Sequence, residues 1–138
     1  MRKSWSSSWK ASGQPRKQRK YVYNAPLHVR GKLLSAHLSK ALRKELGRRS
    51  AALRKGDEVT VVKGEFAGRS GKITRLDRGS LRIFVDGIKM KKVSGQEIEA
   101  PVVPSNVLVT KLEMADKLRI ASLKRPAKLK AAGMQAGK

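Results

Sequence analysis

The stretch Lys55-Gly56-Asp57-Glu58-Val59-Thr60-Val61-Val62-Lys63-Gly64-Glu65-Phe66-Ala67-Gly68-Arg69-Ser70-Gly71-Lys72-Ile73 decides how the chain is read. The β-branched run Val59 to Val62 and the apolar entry at Ile73 are separated by glycines, the pattern of a strand, a tight turn and a second strand. Gly56 and Gly64 flank the first strand. Gly68 and Gly71 let the chain re-enter the sheet at the second strand, where a Cβ is expected to clash with neighbouring backbone; at Gly71, where the first two strands must lie close, it would meet backbone or a disallowed dihedral. The same glycines do not form a nucleotide phosphate loop: Gly68-x-x-Gly71-Lys72 runs directly into Ile73, without the Walker spacing or a Ser or Thr after the lysine.

Further short runs follow at Ile83 to Val85, Met90 to Val93 and Asn106 to Thr110, with Gly79 between strands and Asp86-Gly87 supplying the positive φ of a hairpin turn. This predicts a mainly β fold, a small five-stranded SH3-like barrel over residues 51–110, because so small a sheet buries its apolar face most economically by closing on itself. Upstream, residues 1–50 hold 14 Lys or Arg and one acid, Glu45, and read as a basic extension. Its first twenty residues lack periodicity and predict no structure of their own. Leu27, Arg30, Leu33 and Leu34 predict a short helix entered through Pro26, and Leu38, Leu42 and Leu46 predict a second over 36–46, capped by Gly47. Downstream, residues 111–138 form a basic C-terminal extension with a turn or two of helix near Asp116 to Ile120 and a structureless tail beyond Pro126.

The chain of 138 residues carries 33 Lys or Arg against 10 Asp or Glu, a net charge of +23 and a pI of about 11.3. A domain of this size normally carries a net charge of roughly 2–8 in magnitude, so the excess calls for a polyanionic partner, and nucleic acid is the commonest. A membrane surface would require a long one-sided amphipathic helix or a lipid anchor, and neither pattern occurs. No apolar run approaches the roughly 18 residues of a membrane span, and no apolar signal core follows the basic N-terminus, so no membrane insertion and an intracellular location are expected. The absence of cysteine removes disulfides and thiolate metal sites.

Candidate contacts follow from residue type. Lys63, Phe66, Arg69 and Lys72 on a glycine-rich turn press cations and backbone amides toward phosphates, with Phe66 divided between the core and a base; the competing reading is a solvated hairpin. Trp5 and Trp9 stand in a polar segment with no local core. Their rings, and those of Tyr21 and Tyr23 beside Arg16, Lys17, Arg19 and Lys20, suit stacking on unpaired bases; the alternative is docking on the barrel itself. His28 and His37 lack the further ligands of a zinc site and suit phosphate or backbone hydrogen bonds. Asp57 and Glu58 are adjacent on a strand and face opposite ways, which defeats a carboxylate pair; Asp57 suits turn hydrogen bonds and Glu58 an ion pair. No serine has an activating His and Asp, so neither an enzyme nor a cofactor is expected.

Lys55-Gly56-Asp57 through Gly64, Gly68, Gly71 and Lys72-Ile73 resembles the KOW motif of ribosomal proteins and transcription-elongation factors, which implies an SH3-like barrel. Combined with Ser8-Trp9-Lys10-Ala11-Ser12, Gln14-Pro15-Arg16-Lys17-Gln18-Arg19-Lys20, Tyr23-Asn24-Ala25-Pro26-Leu27-His28-Val29-Arg30, Ser35-Ala36-His37-Leu38-Ser39, Gly47-Arg48-Arg49-Ser50, Pro104-Ser105-Asn106-Val107 and Asp116-Lys117-x-Arg119, it resembles a ribosomal family. This is the archaeal and eukaryotic form of universal large-subunit protein twenty-four, numbered twenty-six in eukaryotes. The resemblance spans roughly residues 3–125. It implies binding to the 5′ region of large-subunit rRNA near the outer opening of the peptide exit tunnel, contact with neighbouring ribosomal proteins, a part in early assembly, a cytoplasmic location and no catalysis. Self-association is not an obligate part of this reading. It places Lys10, Arg30, Arg48, Arg49 and Asn106 among the RNA contacts. The other reading is a KOW-containing elongation factor or general RNA-binding protein, for which the residues before Lys55 supply no polymerase-binding domain.

Overall fold

A computed structural model describes residues 5, 6, 9 and 12–124. Expectations for Lys10 and for the tail after Pro126 lie outside the described residues. The elements run α1 (Pro15–Asn24), α2 (Leu27–Leu33), β1 (Ser35–Leu38), α3 (Lys40–Leu46), β2 (Ser50–Ala52), β3 (Glu58–Val61), β4 (Ser70–Asp77), β5 (Arg82–Val85), β6 (Lys89–Lys91), β7 (Glu97–Glu99), a 3-10 turn at Pro104–Asn106, β8 (Val107–Lys111) and α4 (Lys117–Lys124).

The fold is mainly β, as expected. One sheet has the order β2-β1-β8-β3-β4-β5, and β6 pairs with β7 in a separate hairpin. Only the β1–β8 pairing is parallel. The main sheet has six strands where five were expected, and no ladder among the described residues joins β2 to β5. The Met90 strand belongs to the small hairpin, while β1 enters the main sheet from the segment read as a basic extension and β2 straddles the boundary drawn at residue 50. Asp86-Gly87 forms a turn, with Ile88 N–H donating to the Val85 carbonyl at 3.2 Å, yet the strands on either side of it are not partners.

The helix expected over 36–46 is corrected to a strand followed by a helix. Ala36 and Leu38 are buried and His37 between them is exposed, a period of two that no helix produces. Ser39 then caps α3, its Oγ accepting from Leu42 N at 3.4 Å, and its own N–H donates to the Val109 carbonyl at 2.9 Å. The fourfold leucine spacing mixed a sheet residue, Leu38, with two helix residues, Leu42 and Leu46, that pack on the same core. Gly47 does cap α3, at φ 60°. A second correction concerns the first twenty residues, which include the start of α1. Pro15 sits in its first turn, Gln14 N–H meets Ser12 Oγ at 3.3 Å, and Gln18 Nε2 donates to the Ser12 carbonyl at 2.7 Å.

The core is one cluster including Leu34, Leu38, Val59, Ile73, Ile83, Val85, Ile88 and Val109, with Leu123 of α4 closing it. Asp57 is wholly buried beside it and accepts four hydrogen bonds: Arg54 N at 2.8 Å, Glu113 N at 2.9 Å, and Arg119 Nη1 and Nη2 at 2.6 and 2.7 Å. The Arg119 fork also reaches the carbonyls of Glu113 and Ala52. One buried ion pair therefore fastens α4 to the sheet.

Gly71 shows why β4 begins as it does. A Cβ there would stand 2.4 Å from the carbonyl oxygen of Asp86 and 2.9 Å from Val85 Cγ1. The constraint comes from the end of β5, not from β3, and it is one of space; φ is not positive. At Gly68 the reverse holds, with φ 86° and open space.

Candidate nucleic-acid interface

The β3–β4 connection is the best-built cationic feature. Val61 N–H donates to the Arg69 carbonyl and Gly68 N–H to the Val61 carbonyl, both at 2.8 Å, closing residues 62–67 into a tight loop. Within it Ala67 N–H bonds the Gly64 carbonyl at 3.1 Å, and Gly64 takes φ 101° to make the turn. The Asn106 carbonyl receives Val62 N at 2.8 Å and Lys63 N at 3.4 Å, so the Pro104–Asn106 turn braces the loop from the side. Phe66 lies half-buried against the core, and the Arg69 guanidinium sits over its ring at 5.3 Å. Lys63 and Arg69 are exposed and make no ion pair among the described residues. Asn106, distant in sequence, is thus brought to the loop that carries Lys63, Phe66 and Arg69. Lys72 is close by on β4, opposite Glu58. Glu58 pairs with Lys111 at 3.2 Å, the ion pair expected of it.

The N-terminal candidates form a second group. Arg16, Lys17, Arg19 and Lys20 are exposed on α1. Trp5 and Trp9 find a local partner after all: Trp9 stacks on Tyr21 with centroids 4.6 Å apart, and Trp5 lies tilted against the same ring at 5.4 Å. The ring-free stretch around them concealed this, because their partner follows only when α1 forms. Tyr23 is 79% exposed.

Arg30 serves the fold itself. Its guanidinium donates to the carbonyls of Tyr23 and Gly79, tying the end of α1 to the β4–β5 turn. His28 is exposed on α2 and His37 on β1, the latter directly opposite Ser50. Arg48 and Arg49 precede β2, with the Arg49 carbonyl accepting from Leu38 N at 3.1 Å. No group of three or more His, Asp or Glu side chains is placed to hold a metal among the described residues, and no helix there is long and apolar enough to cross a membrane.

Sequence reasoning passed over Arg54, Lys55 and Arg78, which line a groove with His28, Leu27, Gly31 and Leu34 between α2 and the sheet. Arg54 is also ion-paired with Asp116, and that hydrogen bond is the main cause holding the Asp116 carboxyl below its ordinary range. Arg119 was visible only as part of a motif. A lone arginine in a basic segment gives no hint that it is buried.

The model of the family comprising the eukaryotic ribosomal proteins L26 and their archaeal L24 counterparts matches residues 12–126. The chain belongs to this family. It is 51% identical over 114 residues to the large ribosomal subunit protein uL24 of Methanosarcina barkeri, an alignment covering 83% of this chain and 98% of that protein. It is 46% identical over 114 residues to the uL24 of Korarchaeum cryptofilum, covering 83% of this chain and 87% of the relative. The family is one of structural, non-enzymatic ribosomal proteins.

Proposed function

We propose that this protein is a structural component of the large ribosomal subunit in the cytoplasm and holds large-subunit rRNA through the β3–β4 loop and its basic flanks. The observation that carries this reading is the meeting of Lys63, Arg69 and Asn106 on a loop whose backbone is already closed by hydrogen bonds. Cations on a rigid loop lose little freedom when they meet phosphates. Lys72 extends the same surface along β4, and Arg16, Lys17, Arg19 and Lys20 give α1 a phosphate-facing side. His28, His37, Arg48 and Arg49 are exposed or half-exposed and extend it further, while Arg30 acts by positioning α1. Residues 51–110 serve as the central module, and residues 1–50 and 111–138 hold most of the excess positive charge.

Family membership supports the finer reading: binding in the 5′ region of the rRNA near the outer opening of the exit tunnel, beside other large-subunit proteins, early in assembly and without obligate self-association. Phosphate contacts of this kind give salt-dependent affinity, about 0.7–0.9 in logarithmic slope per contact. The test is to replace Arg69 and Lys72 together with Gln and measure binding to a transcript of the 5′ region of large-subunit rRNA across a salt series. Weaker binding with a slope reduced by between one and two is expected, with unfolding behaviour unchanged. Unchanged affinity and slope would remove this surface from the interface.

A further inference from the structure

Trp5 and Trp9 precede the residues that the family model matches, and they are the only tryptophans in the chain. With Tyr21 they line a hollow of about 290 Å³, bordered by Ser6, Lys17 and Lys20. That volume is at the small end of the roughly 300–1,000 Å³ of pockets that hold small organic ligands. Its lining is three aromatic rings with the side chains of two lysines beside them. Lys17 and Lys20 are three apart on α1 and so lie on one side of the helix. No Asp or Glu occurs before Glu45. The indole Nε1 of Trp5 is buried and donates to nothing among the described residues.

Two kinds of ligand suit an aromatic hollow, and charge separates them. A cage for a methylated ammonium needs a negative or neutral border, because its cation is drawn to the ring faces. Here two lysines at the border repel such a cation. They attract a phosphate instead, while the rings offer stacking to any base. We infer that the Trp5–Trp9–Tyr21 hollow is a binding site for a single unstacked nucleotide of an RNA strand, the base against the rings and its flanking phosphates on Lys17 and Lys20. The inference rests on the RNA-binding reading above and adds to its α1 face a base-binding hollow whose two tryptophans lie outside the residues that the family model matches.

Having no other tryptophan, the full-length protein reports on this hollow by its own fluorescence. The protein is titrated with single-stranded decauridylate, with an abasic ribose-phosphate strand of the same length and charge, and with an RNA duplex. Decauridylate should quench the emission and bind more tightly than the abasic strand by about fivefold to a hundredfold, the range of one base–aromatic stack. The duplex, whose bases are already stacked, should quench little. Trp9→Ala should remove that advantage while leaving the salt dependence of binding nearly unchanged, and Lys17→Gln with Lys20→Gln should lower the salt dependence while keeping the quench. Trp9→Phe retains a ring and should recover most of the preference, which separates stacking from a folding defect. Equal quenching and affinity for the abasic strand would overturn the inference. So would a Trp9→Ala protein that still prefers decauridylate. If rRNA binding persists with Arg69 and Lys72 dependence while either result is obtained, only the hollow is refuted; if those loop variants leave rRNA binding untouched while decauridylate quenches as expected, only the loop is.

Discussion

Replacing Arg119 by Met removes the guanidinium from Asp57 while keeping a long, apolar, helix-compatible side chain. Asp57 is 0% exposed and Arg119 5%, and Arg119 supplies two of the four hydrogen bonds that the carboxylate accepts. The variant leaves a buried carboxylate with only the two backbone amides of Arg54 and Glu113. It also strips the carbonyls of Ala52 and Glu113 of a donor. Removing one partner of a buried pair costs about 3–5 kcal/mol. At roughly 4 °C per kcal/mol for a domain of this size, the midpoint of thermal unfolding should fall by about 12–20 °C. Asp57→Asn should also destabilise, because it leaves the arginine buried and charged. The double variant should lose clearly less than the two single losses added together, since neither charge is then stranded. The assay is thermal unfolding of the four proteins without RNA, with amide exchange across α4. An Arg119→Met midpoint within about 2 °C of the unmodified protein, or strictly additive losses, would refute the view that this pair fastens α4 to the sheet.

Gly71→Ala places a methyl group 2.4 Å from the Asp86 carbonyl oxygen, so denaturant unfolding should show a loss of about 1–3 kcal/mol or more, the usual result of overpacking. Gly64→Ala, with ample space but at φ 101°, should lose about 1–2 kcal/mol through the dihedral alone, and a Gly71→Ala protein as stable as the unmodified one would argue against a steric role for Gly71. Asp77 is held below its ordinary pKa first by the Ser80 hydroxyl and then by the backbone N–H groups of Gly79 and Ser80. Ser80→Ala should therefore raise it toward the ordinary 3.8 in an NMR titration. The sign follows from the depressed carboxyl: the stabilisation from Asp77 is present above its unfolded pKa and disappears as pH falls through the folded one, so Ser80→Ala should lessen that acid sensitivity.

The amino-acid sequence by itself determined the class of fold, the charge and the family, because these rest on local or summed properties. Gly56, Gly64 and Gly68 stand in turns between strands, and Val59, Ile73, Ile83 and Val85 are core residues on strands, as alternation and turn chemistry predicted. The convergence of Lys63, Phe66 and Arg69 was also local, lying within one loop. Tertiary structure decided what depended on partners distant in the chain. Residues 36–38 fit a helical leucine repeat but form β1 because β2 and β8 offer them backbone hydrogen bonds on both sides, which no local propensity registers. Asn106 joins the loop only through its carbonyl, Arg30 turns inward because α1 and the Gly79 turn present carbonyls to it, and Trp9 meets Tyr21 only once Pro15–Asn24 is helical. Arg119 is the clearest case: its sequence neighbourhood is that of any exposed basic residue, and only the fold, by burying Asp57 62 positions away, makes it part of the interior.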